Sequence, residues 1–277
     1  MPAARSLASR YPTAFVTGVS AGLGRAFAEA LLAEGVRVWG TARDTARLAP
    51  LAAHPGFTAV ALDLADGDGA EAAYAHASAE AGGFALIINN AGYGVFADAA
   101  RADAALWHRQ LEEMLQSTLR LARLGLRDTQ ARGSGAIVNI SSLAVEFPLP
   151  YMSGYNVAKA GLSAWSESIA YEVRGTGVAI IDFRPGDFRT DFNRVATRGA
   201  GADEPRLDRV WRRLGHNLDV APPPARAVAD LLRALRRGRS GVVRTGSFFQ
   251  ARVAPALARI APWSWKLAVQ ARYFDLR

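Results

Sequence analysis

The 277-residue sequence predicts a single α/β domain, with a doubly wound, seven-stranded parallel sheet covered by helices on both faces. Two observations predict this fold. Short apolar segments alternate with longer segments at helical spacing, and no linker or internal repeat divides the chain. The strand-like segments are apolar throughout, as expected for strands buried on both faces of a parallel sheet.

Seven strands and several helices follow in chain order. The strands are predicted at residues 13–18, 36–42, 57–64, 84–92, 135–142, 177–186 and 241–246. The helices are predicted at 25–35, in the Ala- and Glu-rich segment after the third strand, over roughly 103–131, and over 152–174. Right-handed crossovers between such elements give a Rossmann-like arrangement. Two segments depart from the alternation and are interpreted as a substrate-loop insertion (187–221) and a C-terminal lid or oligomer segment (248–277).

Composition excludes several function classes. The net charge is +8, but the arginines are spread along the chain, so nucleic-acid binding is not expected. No run of 18 apolar residues predicts a membrane span, and the first 18 residues do not have the pattern of a signal peptide. Without cysteines there are no disulfides, thiolate nucleophiles or cysteine-bound zinc, which fits a reducing cytoplasm. The four histidines lack metal-ligand spacing, so no metal is predicted.

A glycine-rich turn follows the first strand, in the sequence TGVSAGLG from Thr17 to Gly24. Gly18, Gly22 and Gly24 allow a tight turn and a close approach to a diphosphate, which would lie at the N-terminus of the following helix. Because a strand precedes the motif and a helix follows it, the motif predicts a dinucleotide site.

The end of the second strand indicates which dinucleotide. An acidic residue there would bind the adenosine ribose, but the chain has Ala42 followed by Arg43. The guanidinium of Arg43 can pair with a 2′-phosphate. Asp44 is interpreted as the cap of the next helix. NADP is therefore favoured over NAD, which stays the alternative.

A tyrosine and a lysine share one face of a predicted helix. Tyr155 and Lys159 are four residues apart in SGYNVAKAG, and Lys159 is one of only two lysines among 33 basic residues. A cation beside a tyrosine hydroxyl favours the tyrosinate and lowers its pKa. Ser142 lies thirteen residues earlier, at the end of the fifth strand, where ligands bind in open α/β sheets. The alternatives are an accidental helical pair and a turn serine.

As a set, these motifs resemble those of short-chain dehydrogenases/reductases. The set comprises T-G-x-x-x-G-x-G, NNAG (89–92), a serine thirteen residues before Y-x-x-x-K, and PGDFRT (185–190), in order over roughly residues 13–245. The resemblance implies that Tyr155 is the acid/base, that Ser142 orients the substrate oxygen, and that Lys159 holds the nicotinamide ribose and lowers the tyrosine pKa. It also implies cofactor contacts from Thr17, Gly18, Ser20, Gly22, Leu23, Gly24, Arg43, Asp63, Asn90, Ala91, Gly92, Pro185, Gly186 and Thr190. For Asp63, the alternative is a cap of the following helix.

One position departs from the family pattern. Most members carry an asparagine in the long helix, where it supports a proton relay behind the lysine. Counting back from RGSG (132–135) puts Met114 there, although a shifted alignment would bring Glu113 or Gln116 to the site. A thioether is a poor substitute for an amide, so this departure puts the relay in doubt.

The predicted function is an NADP(H)-dependent oxidoreductase that interconverts a secondary alcohol and a ketone or aldehyde. The motifs look most like those of members that act on steroids, retinoids or other bulky apolar carbonyls. Aromatic and apolar side chains are expected to line the pocket: Phe147, Met152, Phe188, Phe192 and Trp211. Residues 248–274 are expected to form a lid or a subunit contact of a homodimer or homotetramer, with a membrane-surface helix as the alternative. The rival function is a cofactor-binding sensor with little turnover, for which Met114 is the support.

Overall fold

A seven-stranded sheet whose strand pairs are all parallel forms the centre of the computed structural model, which describes residues 6–190, 192, 196–199, 204–258 and 260–276. Its strands are β1 (Thr13–Val16), β2 (Arg37–Ala42), β3 (Phe57–Ala61), β4 (Leu86–Asn89), β6 (Gly135–Ile140), β7 (Val178–Pro185) and β9 (Gly241–Thr245). They lie in the order β3-β2-β1-β4-β6-β7-β9. The predicted fold class is confirmed.

The central strands are mostly apolar because both of their faces are covered. In β1, Ala14 and Val16 point into one core, whereas Phe15 between them points into the other. The paired strand β4 repeats the pattern, with Ile87 beside Phe15 and on the same face. Successive side chains of a strand point to opposite faces, so a strand with no polar position is buried on both.

Helices cover the two faces. They are α1 (Leu7–Arg10), α2 (Gly22–Ala33), α3 (Ala49–Ala52), α4 (Gly67–Ala81), α5 (Ala104–Leu111), α6 (Thr118–Ala131), α7 (Ser153–Glu172), α8 (Pro205–Asp219), α9 (Pro224–Arg237), α10 (Ala254–Ala258) and α11 (Trp263–Tyr273). Phe27 of α2 and Leu231 of α9 are buried in one core. Tyr74 of α4 and Leu121 of α6 are buried in the other. Helices therefore lie on both faces of the sheet, as predicted.

The predicted long helix at 103–131 is not uniform. Residues Glu112–Ser117 form a π-helical stretch between α5 and α6. Such stretches occur frequently at functional sites. This one places Met114, which is 1% exposed, on the inner side of the helix.

A second, two-stranded sheet was not predicted. Val95–Phe96 (β5) pairs in parallel with Thr197–Arg198 (β8), so part of the 187–221 segment lies over the loop after β4. Residues 191, 193–195 and 200–203 of that segment lie outside the described part of the chain. Helix α8 forms much of the remainder.

The C-terminal segment, described over residues 248–258 and 260–276, is buried at Ala251 and Pro255 near its start and at Phe274 near its end. It contains a π-helical turn (Phe249–Val253), α10 and α11. No residue of α11 is buried, whereas Phe274 just beyond it is 3% exposed and packs in a core cluster with Tyr155. The part of the chain that the structure describes contains no helix with both the length and the apolarity to cross a membrane.

Candidate active site

One cleft of about 1160 Å³ runs along the carboxyl edge of the sheet and under the C-terminal segment. It opens where the strand order reverses between β1 and β4, which is where open α/β sheets bind ligands. All the predicted site residues except Thr17 line it: Gly18, Ser20, Gly22, Leu23, Gly24, Arg43, Asp63, Asn90, Ala91, Gly92, Ser142, Tyr155, Lys159, Pro185, Gly186 and Thr190.

The glycine loop is shaped by close backbone contacts. Gly18 has φ +71°, and a Cβ there would lie 2.9 Å from Ala91 Cα. At Gly24 a Cβ would overlap the Asn90 side chain and the Gly18 carbonyl. The helix that follows, α2, begins at Gly22 after Ala21, which has no side-chain oxygen to cap it. Because the first N–H groups of this helix receive no side-chain cap, the loop fits the diphosphate of a dinucleotide.

Thr17 and Asn90 fasten this loop from behind. The Thr17 hydroxyl is buried and accepts hydrogen bonds from Asn90 N (2.9 Å) and Ala91 N (3.0 Å). Asn90 Nδ2 donates to the carbonyls of Thr17 (2.9 Å) and Gly18 (3.2 Å). In this structure, both side chains therefore hold the loops after β1 and β4 together.

The wall at the end of β2 carries two arginines. Arg43 and Arg47 both line the cleft. Sequence analysis did not identify Arg47, although it lies only four residues beyond Arg43. Asp44 Oδ1 accepts from Ala46 N (3.0 Å) and caps a short 3₁₀ turn, as predicted. Asp63 lines the cleft and accepts from Ala65 N (3.0 Å), whereas α4 is capped by Asp66. Two cations thus lie at the end of the cleft where a 2′-phosphate was predicted.

The opposite wall has a polar pair that sequence analysis did not identify. Tyr93 and Glu113 both line the cleft and lie close enough to shift each other's pKa. Burial raises the pKa of Glu113, and the carboxylate of Asp63 raises it further, while Arg43 opposes the shift. Tyr93 follows the NNAG motif and Glu113 lies within the π-helical stretch, so only the fold brings the two side chains together.

Ser142, Tyr155 and Lys159 converge where β6 ends and α7 begins. Ser142 is 8% exposed, Tyr155 8% and Lys159 5%. The Ser142 hydroxyl accepts from Ala144 N (3.0 Å), and it is near enough to Tyr155 to lower the pKa of that phenol. Lys159 Nζ donates to the carbonyl of Ile140 (2.7 Å) and lies 5.8 Å from the centre of the Tyr155 ring. The two hydroxyls can therefore contact a single substrate oxygen.

Met114 lies beside the group formed by Ser142, Tyr155 and Lys159. A Cβ on Gly92 would be 3.0 Å from Met114 Cε and 3.5 Å from Lys159 Nζ. Gln116 is exposed, and Glu113 lies beside Tyr93. Among the three candidates for the relay position, Met114 is therefore the one whose side chain comes next to the lysine.

Burial is the largest influence on the pKa values of both Tyr155 and Lys159. It raises the pKa of Tyr155 to about 12, against the opposing effect of the nearby Ser142 hydroxyl, and the charge of Asp187 raises it further. Burial also lowers the pKa of Lys159 to about 8, although the charge of Asp182 opposes this shift. The expectation of a lowered tyrosine pKa is thus not met in this structure, because desolvation is the largest influence on this buried phenol.

Three of the five predicted apolar pocket residues line the cleft. They are Phe147, Phe188 and Phe192, and the ring of Phe192 packs edge-on against Tyr155 with 5.7 Å between centroids. The prediction was wrong for the other two. Met152 is buried against Gly94, and Trp211 packs on Phe96 with 5.1 Å between centroids, away from the cleft.

One family model and two individual proteins match much of the chain. Residues 12–200 match the family model described as short chain dehydrogenase. A serine 3-dehydrogenase of Agrobacterium fabrum is 32% identical over 68% of this chain and 76% of its own. A short chain dehydrogenase of Pseudocercospora fijiensis is 32% identical over 65% of this chain and 60% of its own, so the chain spans less than two thirds of that protein.

Solved structures extend the likeness to nearly the whole chain. A short-chain dehydrogenase from Streptomyces avermitilis superposes with a TM-score of 0.81 at 29% identity, covering 93% of this chain and 97% of the other. A short chain dehydrogenase from Burkholderia cenocepacia in complex with NADP has a TM-score of 0.72 at 26% identity, covering 94% and 96%. The likeness to solved structures therefore extends beyond the 12–200 span of the family match.

Proposed function

The chain belongs to the short-chain dehydrogenase/reductase family of oxidoreductases, and on that premise we propose that it uses NADP(H) to interconvert a secondary alcohol and a ketone or aldehyde on a bulky apolar substrate. The observation that carries the proposal is the convergence of Ser142, Tyr155 and Lys159 at the cleft wall, with Lys159 Nζ 5.8 Å from the centre of the Tyr155 ring. Two adjacent hydroxyls form a site for one carbonyl or alcohol oxygen.

Proton transfer would fall to Tyr155. Since its pKa is about 12, the phenol is protonated at neutral pH and can donate to a carbonyl oxygen during reduction. Ser142 would hold that oxygen through its own hydroxyl. During oxidation the tyrosine must first lose its proton, which the charge of Lys159 would favour.

The dinucleotide would lie on the glycine loop, with its diphosphate at the N-terminus of α2 and its adenosine between Arg43 and Asp63. Thr190 would close over it, because its Cβ is 3.8 Å from where a Cβ on Gly22 would be. When bound, the nicotinamide supplies or accepts the hydride. The two arginines and the NADP in the Burkholderia cenocepacia structure support NADP over NAD.

The substrate would occupy the cleft between Tyr155 and the C-terminal segment. Phe147, Phe188 and Phe192 form one side, and the C-terminal segment contributes Leu257 and Trp265 to the other. These apolar walls favour a bulky apolar substrate, and they support a lid role for the C-terminal segment. The same segment has exposed apolar side chains outside the cleft, Trp263 and Leu267 among them, which keeps a subunit contact or a membrane surface as alternative roles.

The first prediction concerns cofactor choice. NADPH should bind about tenfold more tightly than NADH, which corresponds to roughly 1.4 kcal/mol. Arg43→Ala should remove most of this preference and leave the NADH Kd nearly unchanged, because only the 2′-phosphate contact is lost. Arg132→Ala, an exposed arginine outside the cleft, serves as the control. Equal Kd values for the two dinucleotides in the unmodified protein would overturn the NADP assignment.

The second prediction concerns the Tyr155–Lys159 pair. Lys159→Arg keeps a positive charge, but a planar guanidinium cannot take the place of a compact ammonium. We expect kcat for alcohol oxidation at pH 7 to fall about a hundredfold or more. Raising the pH should partly restore it as Tyr155 ionises. Tyr155→Phe should lower kcat further at every pH, whereas the exposed control Tyr171→Phe should have the kcat of the unmodified protein.

The pH–rate profiles of these variants measure the effect, with circular dichroism as the check on folding. A Lys159→Arg protein with near-normal kcat would mean that the lysine is only a buried cation. Tight NADPH binding with no consumption on any ketone would instead favour the sensor function.

The third prediction tests the lid with two matched double variants. Leu257→Ala/Trp265→Ala removes apolar side chains from the cleft wall, and Trp263→Ala/Leu267→Ala removes the same residue types outside it. The first should raise KM for an apolar ketone about tenfold without changing the NADPH Kd. The second should change neither value. If it instead alters the sedimentation coefficient or binding to anionic vesicles while both pairs keep a normal KM, the segment is a subunit or membrane contact.

A further inference from the structure

A carboxylate lies in the substrate half of the cleft, where the neighbouring walls are mainly apolar. Asp187 follows the Pro185–Gly186 turn after β7 and lines the cleft. It is close enough to Tyr155 for its negative charge to raise the pKa of that phenol. Neither the hydride-transfer site nor the dinucleotide site described above uses it.

Only one carboxylate oxygen of Asp187 accepts hydrogen bonds from the described residues. Oδ2 accepts from Gln250 Nε2 (2.6 Å) and from the Tyr273 hydroxyl (3.2 Å). Among the described residues, no hydrogen bond to Oδ1 and no ion pair with a cation is found. Burial raises the pKa of Asp187, which has no positive partner among the described residues. Asp187 is half-buried and lines the cleft, so a bound ligand could complete the bonding of its second oxygen.

The C-terminal segment does not need the negative charge of Asp187 in order to stay bound to the body of the protein. Gln250 and Tyr273 are both neutral donors, and the amide oxygen of an asparagine would accept the same two bonds. The segment has other anchors as well: Arg213 Nε donates to the Tyr273 carbonyl (3.0 Å), and Phe274 is buried. The bonds to these two side chains therefore do not account for a negative charge at this position.

We propose that Asp187 is a substrate-binding residue, and that its free oxygen accepts a hydrogen bond from a hydroxyl or protonated amino group near the reacting carbon. This inference rests on the proposed function for the position of that carbon, which Ser142 and Tyr155 define. The substrate class then becomes narrower: an apolar body that carries a hydrogen-bond donor close to its carbonyl or alcohol group. Charge-assisted hydrogen bonds are the strong ones, so such a donor would be distinguished from a plain methyl or hydrogen.

Three alcohols on one skeleton test this. They are 1-phenylethanol, 1-phenylethane-1,2-diol and 2-amino-1-phenylethanol, and the last two add a hydroxyl or an amine beside the reacting carbon. Their Kd values are measured on the Tyr155→Phe protein loaded with NADP⁺, so that binding is read without turnover, and kcat/KM is measured on the active protein. We expect at least one donor-bearing alcohol to bind about tenfold more tightly than 1-phenylethanol. The one that does so identifies the donor as hydroxyl or amine.

Asp187→Asn should reduce that preference to about threefold or less, because it keeps the acceptor for Gln250 and Tyr273 but removes the charge. Asp275→Asn, an exposed residue outside the cleft, should keep it. No preference in the Tyr155→Phe background, or a preference that survives Asp187→Asn, overturns the inference. An equal loss of affinity for all three alcohols in Asp187→Asn also overturns it, since a purely structural tie would act on all of them alike. A preference in binding without any turnover by the active protein would contradict the proposed oxidoreduction and leave the role of Asp187 standing.

Discussion

The withdrawal of Lys159 from water is the constraint on which the site depends. Lys159 is 5% exposed, and its ammonium group donates to the main-chain carbonyl of Ile140. Burial alone would favour the neutral amine, and the charge of Asp182 acts against it. Asp182 is itself held by Ser163 (2.7 Å) and Arg184 (2.8 Å), so a buried polar network on β7 and α7 underlies the lysine. Such a network keeps its members in place only when each of them is bonded.

The parallel sheet explains why so many functional groups meet in one cleft. The strands β1, β4, β6 and β7 all end at the same edge, and each is followed by a motif that lines the cleft. The Thr17–Asn90 contacts then join the loops after β1 and β4, which are separated by more than seventy residues in sequence. The precision of the site thus comes from buried strands, while its chemical groups come from the loops and from α7.

Most of the fold and much of the site could be predicted from the sequence because each depends on local patterns. Apolar strands and helical spacing predict the sheet, and the glycine, NNAG and Y-x-x-x-K motifs carry their own local geometry. The pairing of β5 with β8 could not be predicted, since two-residue strands form only because a distant segment folds over them. The same holds for Asp187, whose position in PGDFRT was visible but whose partner Gln250 lies 63 residues away. The raised pKa of Tyr155 follows from burial, which no local motif encodes.

The scarcity of lysine makes the central claim directly measurable. With only Lys159 and Lys266 in the chain, NMR of protein labelled with ε-¹³C lysine should give two titrating signals, and a Lys266→Arg variant assigns them. If Lys159 is buried beside Tyr155 as described, its signal in the cofactor-free protein titrates with a pKa of about 8 rather than near the ordinary value of 10.5. A Lys159 signal that titrates at the ordinary value would show a hydrated ammonium and contradict the account of a desolvated tyrosine–lysine pair.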